Sequence, residues 1–320
     1  MFDELIKFSP RLPPTVFRLP FLRREKPTPP KKEKTLQIGK RVVFIIVFFW
    51  TAVCGLRSAV APPAQAGGLV KATSQNPEAQ KLIDRAWKVD KSEYTAEVFR
   101  QCIPLMEQAD KLDPHNPEIL SDLSRYYWSL GDELPKQTPE QRKTLEGLYA
   151  RGMELAEASL KVRETSAGHY WYAVNKGAGL EFSSIFAQAA GFVPIYRHYQ
   201  YVLKNDPDYY YGGPGRLWTE IISRVPRKVV EMVGRKYVDE AMTEINRGIA
   251  KEPRYLDNYV YKAKFTYVYF RNQEEALKLL DQVFKLGPNC FPEEEALTRV
   301  GQRNGRRLWK TITGKDYPAK

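Results

Sequence analysis

Apolar residues recur at helical spacing through nearly all of the chain after Asn76, and no stretch there alternates in the two-residue rhythm of a strand. The segment Glu274–Phe284 (EEALKLLDQVF) shows the pattern well, with charged positions filling the gaps between Ala276, Leu277, Leu279, Leu280 and Val283. Four such runs close on similar phrases: Ala109–Pro114 (ADKLDP), Val202–Pro207 (VLKNDP), Gly248–Pro253 (GIAKEP) and Val283–Pro288 (VFKLGP). In each, a small or apolar residue stands five places before a proline, which has no amide hydrogen and cannot continue a helix.

The spacing of these prolines carries more information than any one of them. Pro253 to Pro288 is 35 residues, close to the tetratricopeptide period of about 34. Pro207 to Pro253 is 46, one repeat with an insertion, and Pro114 to Pro207 is 93, room for two units with irregular structure. Asn116–Leu130 and Leu256–Phe270 fit the first helix of a pair. The pattern predicts an all-α fold, a tetratricopeptide-like helix-pair solenoid preceded by a signal or anchor segment. One pair cannot cover its own apolar face, so neighbours stack and leave a concave surface for a peptide, a protein or a small ligand.

The organisation before the repeats is different. Lys40 and Arg41 precede an uninterrupted apolar run, Val42–Leu56, closed by Arg57. Its fifteen residues would rise about 22 Å as a helix, short of a hydrocarbon core of about 30 Å. Ala64-Gln65-Ala66 before Gly67 suits a signal peptidase. A cleaved signal is the first reading. An uncleaved anchor is the second, with Arg57 reaching back to the interface, and lipidation at Cys54 is the third, although Val53 is a poor residue to precede it. The expected divisions are a basic, proline-rich tail over 1–41, a signal peptide or anchor over 42–66, and a repeat domain over 67–320. The domain is expected to be extracytoplasmic and associated with a membrane through its N-terminus.

Charge supports that division. The chain carries a net +12, yet residues 1–41 hold eleven Lys or Arg against four Asp or Glu, so about four of the twelve remain from Gly67 onward. Basicity concentrated before an apolar segment orients insertion, and nucleic acid is not expected as a partner. Cys102 and Cys290 are left in the repeat domain, as a disulfide or as two buried thiols.

Two stretches depart from the repeat pattern. Gly168–Gly179 (GHYWYAVNKGAG) would place Tyr170, Trp171, Val174 and Ala178 on one face. Asp206–Trp218 (DPDYYYGGPGRLW) contains Gly212-Gly213, which demand an unusual backbone, then Pro214, which can begin a helix, with Arg216 in its first turn.

From these motifs the region from about Gly168 to Trp309 resembles the T component (TatT) family of tripartite ATP-independent periplasmic (TRAP) transporters. Tyr170–Asn175 is similar to that family's aromatic helix. Tyr209 or Tyr210 through Gly212, Gly213, Pro214 and Arg216 matches its Tyr-x-Gly-Gly-Pro-x-Arg turn, and Asn258–Tyr267 and Pro292–Leu297 are similar to later segments. The resemblance implies a periplasmic, membrane-tethered trimer that docks a substrate-binding protein and holds a small apolar organic acid in a cleft. Gly215, where the family often has His, and the long basic N-terminus depart from it. The alternative is an envelope scaffold assembling a membrane-associated complex through its groove.

The candidate ligand-binding residues are Trp171, Tyr172, Asn175, Tyr209, Tyr211, Gly213, Pro214, Arg216 and Trp218. Each has a structural role to set beside the ligand one. Arg216 would hold a carboxylate through its planar fork, or brace the backbone around the glycine turn. The aromatics would line a cleft or fill a core. Asn175 would meet a ligand or bond between repeats. His115, His169 and His198 are scattered and suggest no site, and no nucleotide-binding, metalloprotease or nucleophile-elbow motif occurs. No enzyme activity, cofactor or metal is expected.

Overall fold

Pro114, Pro207, Pro253 and Pro288 each stand two residues beyond a helix end, at Leu112, Asn205, Lys251 and Leu286. The residue before a proline is driven from the helical region by the pyrrolidine ring. Accordingly Asp113, Asp206 and Glu252 have left it, at ψ of 69°, 72° and 83°. A computed structural model of the chain describes residues 67–318, apart from 228–229 and 231–234. The basic tail over 1–41 and the apolar segment over 42–66 lie outside the described residues.

Eleven α-helices and no strand occur among the described residues: α1 (Pro77–Asp90), α2 (Ala96–Leu112), α3 (Pro117–Glu133), α4 (Pro139–Val162), α5 (Ser166–Leu180), α6 (Ile185–Asn205), α7 (Tyr209–Arg224), α8 (Lys236–Lys251), α9 (Leu256–Val268), α10 (Gln273–Leu286) and α11 (Glu295–Thr313). The all-helical expectation holds. No described helix is long and apolar enough to cross a membrane.

Local chemistry sets the helix starts. Asn76, Asn116 and Thr138 cap α1, α3 and α4 with their side-chain oxygens, and a proline follows each at the first helical position. There the missing amide hydrogen costs nothing. Gln141 completes a capping box with Thr138. The expected helix over Asn116–Leu130 runs three residues further, to Glu133, and that over Leu256–Phe270 stops at Val268. Pro292–Glu294 form a single 3-10 turn, and α11 begins at Glu295.

Each odd-numbered helix from α1 to α9 packs on the even-numbered helix that follows it. In addition α3 packs on α5, α5 on α7, α7 on α9 and α9 on α11. The apolar interior falls into three clusters. The first, around Phe99, Met106, Leu123 and Tyr126, joins α1 to α4. The second is aromatic, around Trp171, Tyr199, Trp218 and Phe265. The third, around Val260, Leu280 and Leu308, closes α9 to α11. Cys102 and Cys290 are both free thiols, so the disulfide alternative does not stand. Burial among the α1–α2 residues pushes the Cys102 thiol up to about 12.

Candidate functional site

The nine candidate residues come from two odd-numbered helices that touch, α5 and α7. Eight are buried and Tyr211 is half-buried, so they form a knot of packed side chains around the start of α7. Trp171 Nε1 donates to the Tyr209 hydroxyl at 2.9 Å, and Trp218 Nε1 donates to the Tyr237 carbonyl at 3.1 Å. Tyr170 packs edge-on against both Trp171 and Tyr210.

The backbone at this point is unusual, though not where the glycines suggest. Tyr210 (φ 49°, ψ 51°), Tyr211 (φ 53°, ψ 44°) and Gly212 (φ 86°, ψ 28°) are successively left-handed, while Gly213 is not. Each non-glycine in that region costs roughly 1–2 kcal/mol. Arg216 compensates: its guanidinium donates to the carbonyls of Tyr210 (2.6 Å) and Tyr211 (3.0 Å) and to Asn258 Oδ1 (2.7 Å). Asn258 Nδ2 donates in turn to the Tyr211 carbonyl at 2.9 Å. The rings of Tyr210 and Tyr255 lie 4.9 Å and 4.5 Å from the guanidinium carbon, close enough for cation–π attraction. The regular helix begins just past this braced turn, at Gly213, so Pro214 lies in its first turn as expected.

The glycines serve close packing. A Cβ on Gly212 would stand 2.6 Å from the Gly248 Cα, one on Gly213 2.9 Å from the Tyr170 ring, and one on Gly215 2.7 Å from the backbone of Glu244. The run that reads as a ligand turn is thus where α7 meets α8 backbone to backbone. Asn175 likewise bonds between helices, its Nδ2 reaching the Ser124 carbonyl (3.2 Å) and hydroxyl (3.1 Å) on α3. Tyr172 stacks on His198 at 3.9 Å.

Three polar groupings escape sequence inspection. His169 and His198 meet through their Nδ1 atoms at 2.9 Å, and Glu164 bonds His169 Nε2. Arg125 bonds Asp90 with two nitrogens and approaches Asp122 at 3.7 Å, all in the interior of α1 and α3. Burial pushes the Asp122 carboxyl up to about 6 against the pull of Arg125.

The third is a ladder of alternating charge crossing the odd-numbered helices. Lys136, after α3, meets Glu181 at the end of α5; Glu181 meets Arg224 on α7 at 3.2 Å; Arg224 meets Glu220 at 2.8 Å; and Glu220 meets Lys264 on α9. Burial alone would raise the Glu220 carboxyl, but Lys264 and Arg224 outweigh it and hold it at about 2. Burial draws the Lys264 ammonium down to about 8. The Glu220/Arg224 spacing of four is legible in sequence as a helix pair. Nothing in the sequence places Lys136 and Lys264 beside it. No cluster suited to a metal occurs among the described residues.

A helical protein of paired, stacked helices, with a braced aromatic turn and internally bonded charges, is what these observations define. Residues 81–302, more than two thirds of the chain, match the family described as regulator of microtubule dynamics protein 1-3. The chain belongs to that family. No curated protein matches it.

This assignment corrects the transporter resemblance. The aromatic helix and the Tyr-x-Gly-Gly-Pro-x-Arg turn are packing devices, as Gly212, Gly215 and Arg216 show, and such devices serve helix-repeat proteins of different function. The transport role, the periplasmic placement and the envelope-scaffold alternative are overturned by a family defined by microtubule dynamics. The organic acid, the substrate-binding protein and the trimer were implied only by that resemblance and lose their basis with it.

Proposed function

We propose that the chain is a non-catalytic, tetratricopeptide-like helix-repeat protein that modulates the growth or shrinkage of microtubules by binding other proteins. The observation that carries this reading is the family match, which runs from within α1 into α11 and so spans the whole set of helix pairs. The side-by-side order of α3, α5, α7, α9 and α11, each backed by an even-numbered helix up to α9, supports a solenoid. The bonding of the ladder carboxylates to Lys and Arg side chains supports a scaffold rather than an enzyme.

The test is direct. The full chain, added to tubulin polymerising from stabilised seeds, is expected to change growth rate or switching frequency of single filaments under fluorescence microscopy. Unchanged growth, shrinkage and switching at increasing concentrations of folded protein, with no co-sedimentation on filaments, would remove the proposal.

A further inference from the structure

Residues 67–74, immediately before α1, form no helix or strand, yet they are held at nearly every position. The Gly67 carbonyl accepts from the Tyr211 amide at 2.5 Å. The Ala72 amide donates to Asp122 at 3.3 Å, and the Thr73 amide donates to Glu118 at 3.0 Å. The Thr73 carbonyl accepts from Asn116 Nδ2 at 2.8 Å. Leu69 lies beside Arg125, Thr73 beside Asn116 and Glu118. The strap therefore runs antiparallel to α3, its backbone bonded by side chains of that helix.

The groove reads the strap's side chains as well. A Cβ on Gly67 would stand 2.8 Å from the Asp208 carbonyl, and one on Gly68 2.8 Å from the Tyr211 hydroxyl, so the turn of α7 admits glycine at both places. Leu69 is half-buried and lines a small void of about 10 Å³ together with Tyr94, Arg125, Ala296 and Leu297. Ala72 is buried against α1 and α3. Val70 points outward at 46% exposure, and Lys71 pairs with Asp84 at the surface. The positions read are thus two glycines, an aliphatic residue and, three places on, a small residue followed by hydroxyls. Backbone bonds for affinity with pockets at selected side chains are how extended peptides are recognised in trans.

We propose that this groove is a peptide-binding site, occupied in cis by residues 67–74, whose partner is another protein presenting an extended Gly-Gly-aliphatic-x-x-Ala segment. The strap competes for the site, so its affinity for a partner rises when the strap is released. Because the groove joins α3, the α7 turn and the start of α11, exchange of strap for partner acts on three separate helices of the array.

The experiment uses the full chain carrying Ala72→Trp, whose ring has no room at a position only 2% exposed in the core of α1 to α4, and so expels the strap. The probe is a fluorescent peptide with the sequence of residues 67–74, followed by anisotropy. Binding at least about tenfold tighter to the variant than to the wild type, and lost when the second glycine of the peptide is replaced by alanine, is the expected result. Gly68→Ala, which loosens the strap by a smaller steric change, is the second variant should Ala72→Trp not fold. A variant that melts cooperatively yet binds the peptide no better than wild type overturns the proposal. So does a doubled mass by light scattering, which would make a second copy the partner. Tubulin activity does not enter this readout, so its failure and that of the proposed function are distinguishable.

Discussion

The Nδ1 atoms of His169 and His198 lie 2.9 Å apart, so one ring must donate a proton that the other accepts. A second proton between them would set two donors face to face. Burial, the neighbouring His169 and Lys176 together push His198 down to about 4, and burial also lowers His169.

The sign of the pH dependence follows. An unfolded histidine takes up its proton near pH 6.5 and the folded His198 only near 4, so the folded state loses stability as pH falls across that window. Asp122 and Asp206, both raised to about 6, work in the opposite sense, so the contribution must be read by difference. Wild type should exceed His198→Gln in stability at neutral pH, with the gap narrowing by about 1–2 kcal/mol toward pH 4.5. Urea unfolding at several pH values measures this, and parallel curves for the two proteins would rule the pair out as their source.

Two glycine substitutions should have opposite signs. In Gly215→Ala the added carbon meets Glu244 and Ile245 backbone at 2.7 Å, atoms that cannot yield without separating α7 from α8. A loss of about 2 kcal/mol or more is expected. At Gly147 in α4 an added Cβ would meet nothing within 4 Å, so alanine there should gain up to about 1 kcal/mol. Thermal melts of the two variants separate packing from helix propensity.

The same contrast explains what was legible beforehand. Pro114, Pro207, Pro253 and Pro288 act through their own covalent geometry, and Asn76 and Asn116 cap helices within three residues of themselves, so these features survive in one dimension. The left-handed turn does not. Gly212-Gly213 advertise a backbone anomaly, but two of its residues are Tyr210 and Tyr211, held there by Arg216 and by Asn258 from another helix. The His169–His198 pair and the ladder from Lys136 to Lys264 depend in the same way on helices that meet only after folding. The transporter resemblance failed for a related reason: a short run that specifies close helix approach says how α7 packs, and function is not contained in it.

Arg216→Ala should lower stability by about 2–4 kcal/mol, since it strands the carbonyls of Tyr210 and Tyr211 and removes the restraint that keeps two tyrosines left-handed. Arg216→Lys should recover little, because one ammonium cannot span both carbonyls and Asn258 with the geometry of a planar fork. Chemical denaturation gives the magnitudes. Full rescue by lysine would show that charge, and not the fork, is what the turn requires.

The two members of the Glu220–Lys264 pair should respond unequally to removal. Lys264→Met leaves Glu220 with Arg224 as a second cation at 2.8 Å, so the carboxylate stays compensated and the loss should be about 1–2 kcal/mol. Glu220→Gln removes the carboxylate that faces Lys264, whose side chain is only 4% exposed, and takes from Arg224 one of its two acidic partners. The cost should be about 3–5 kcal/mol at neutral pH. It should diminish as pH rises, because an ammonium already drawn down to about 8 in the intact protein loses its proton still more readily without Glu220. Equal losses for the two variants, or a Glu220→Gln defect that is flat between pH 7 and 9, would mean that Lys264 is compensated by groups other than this carboxylate.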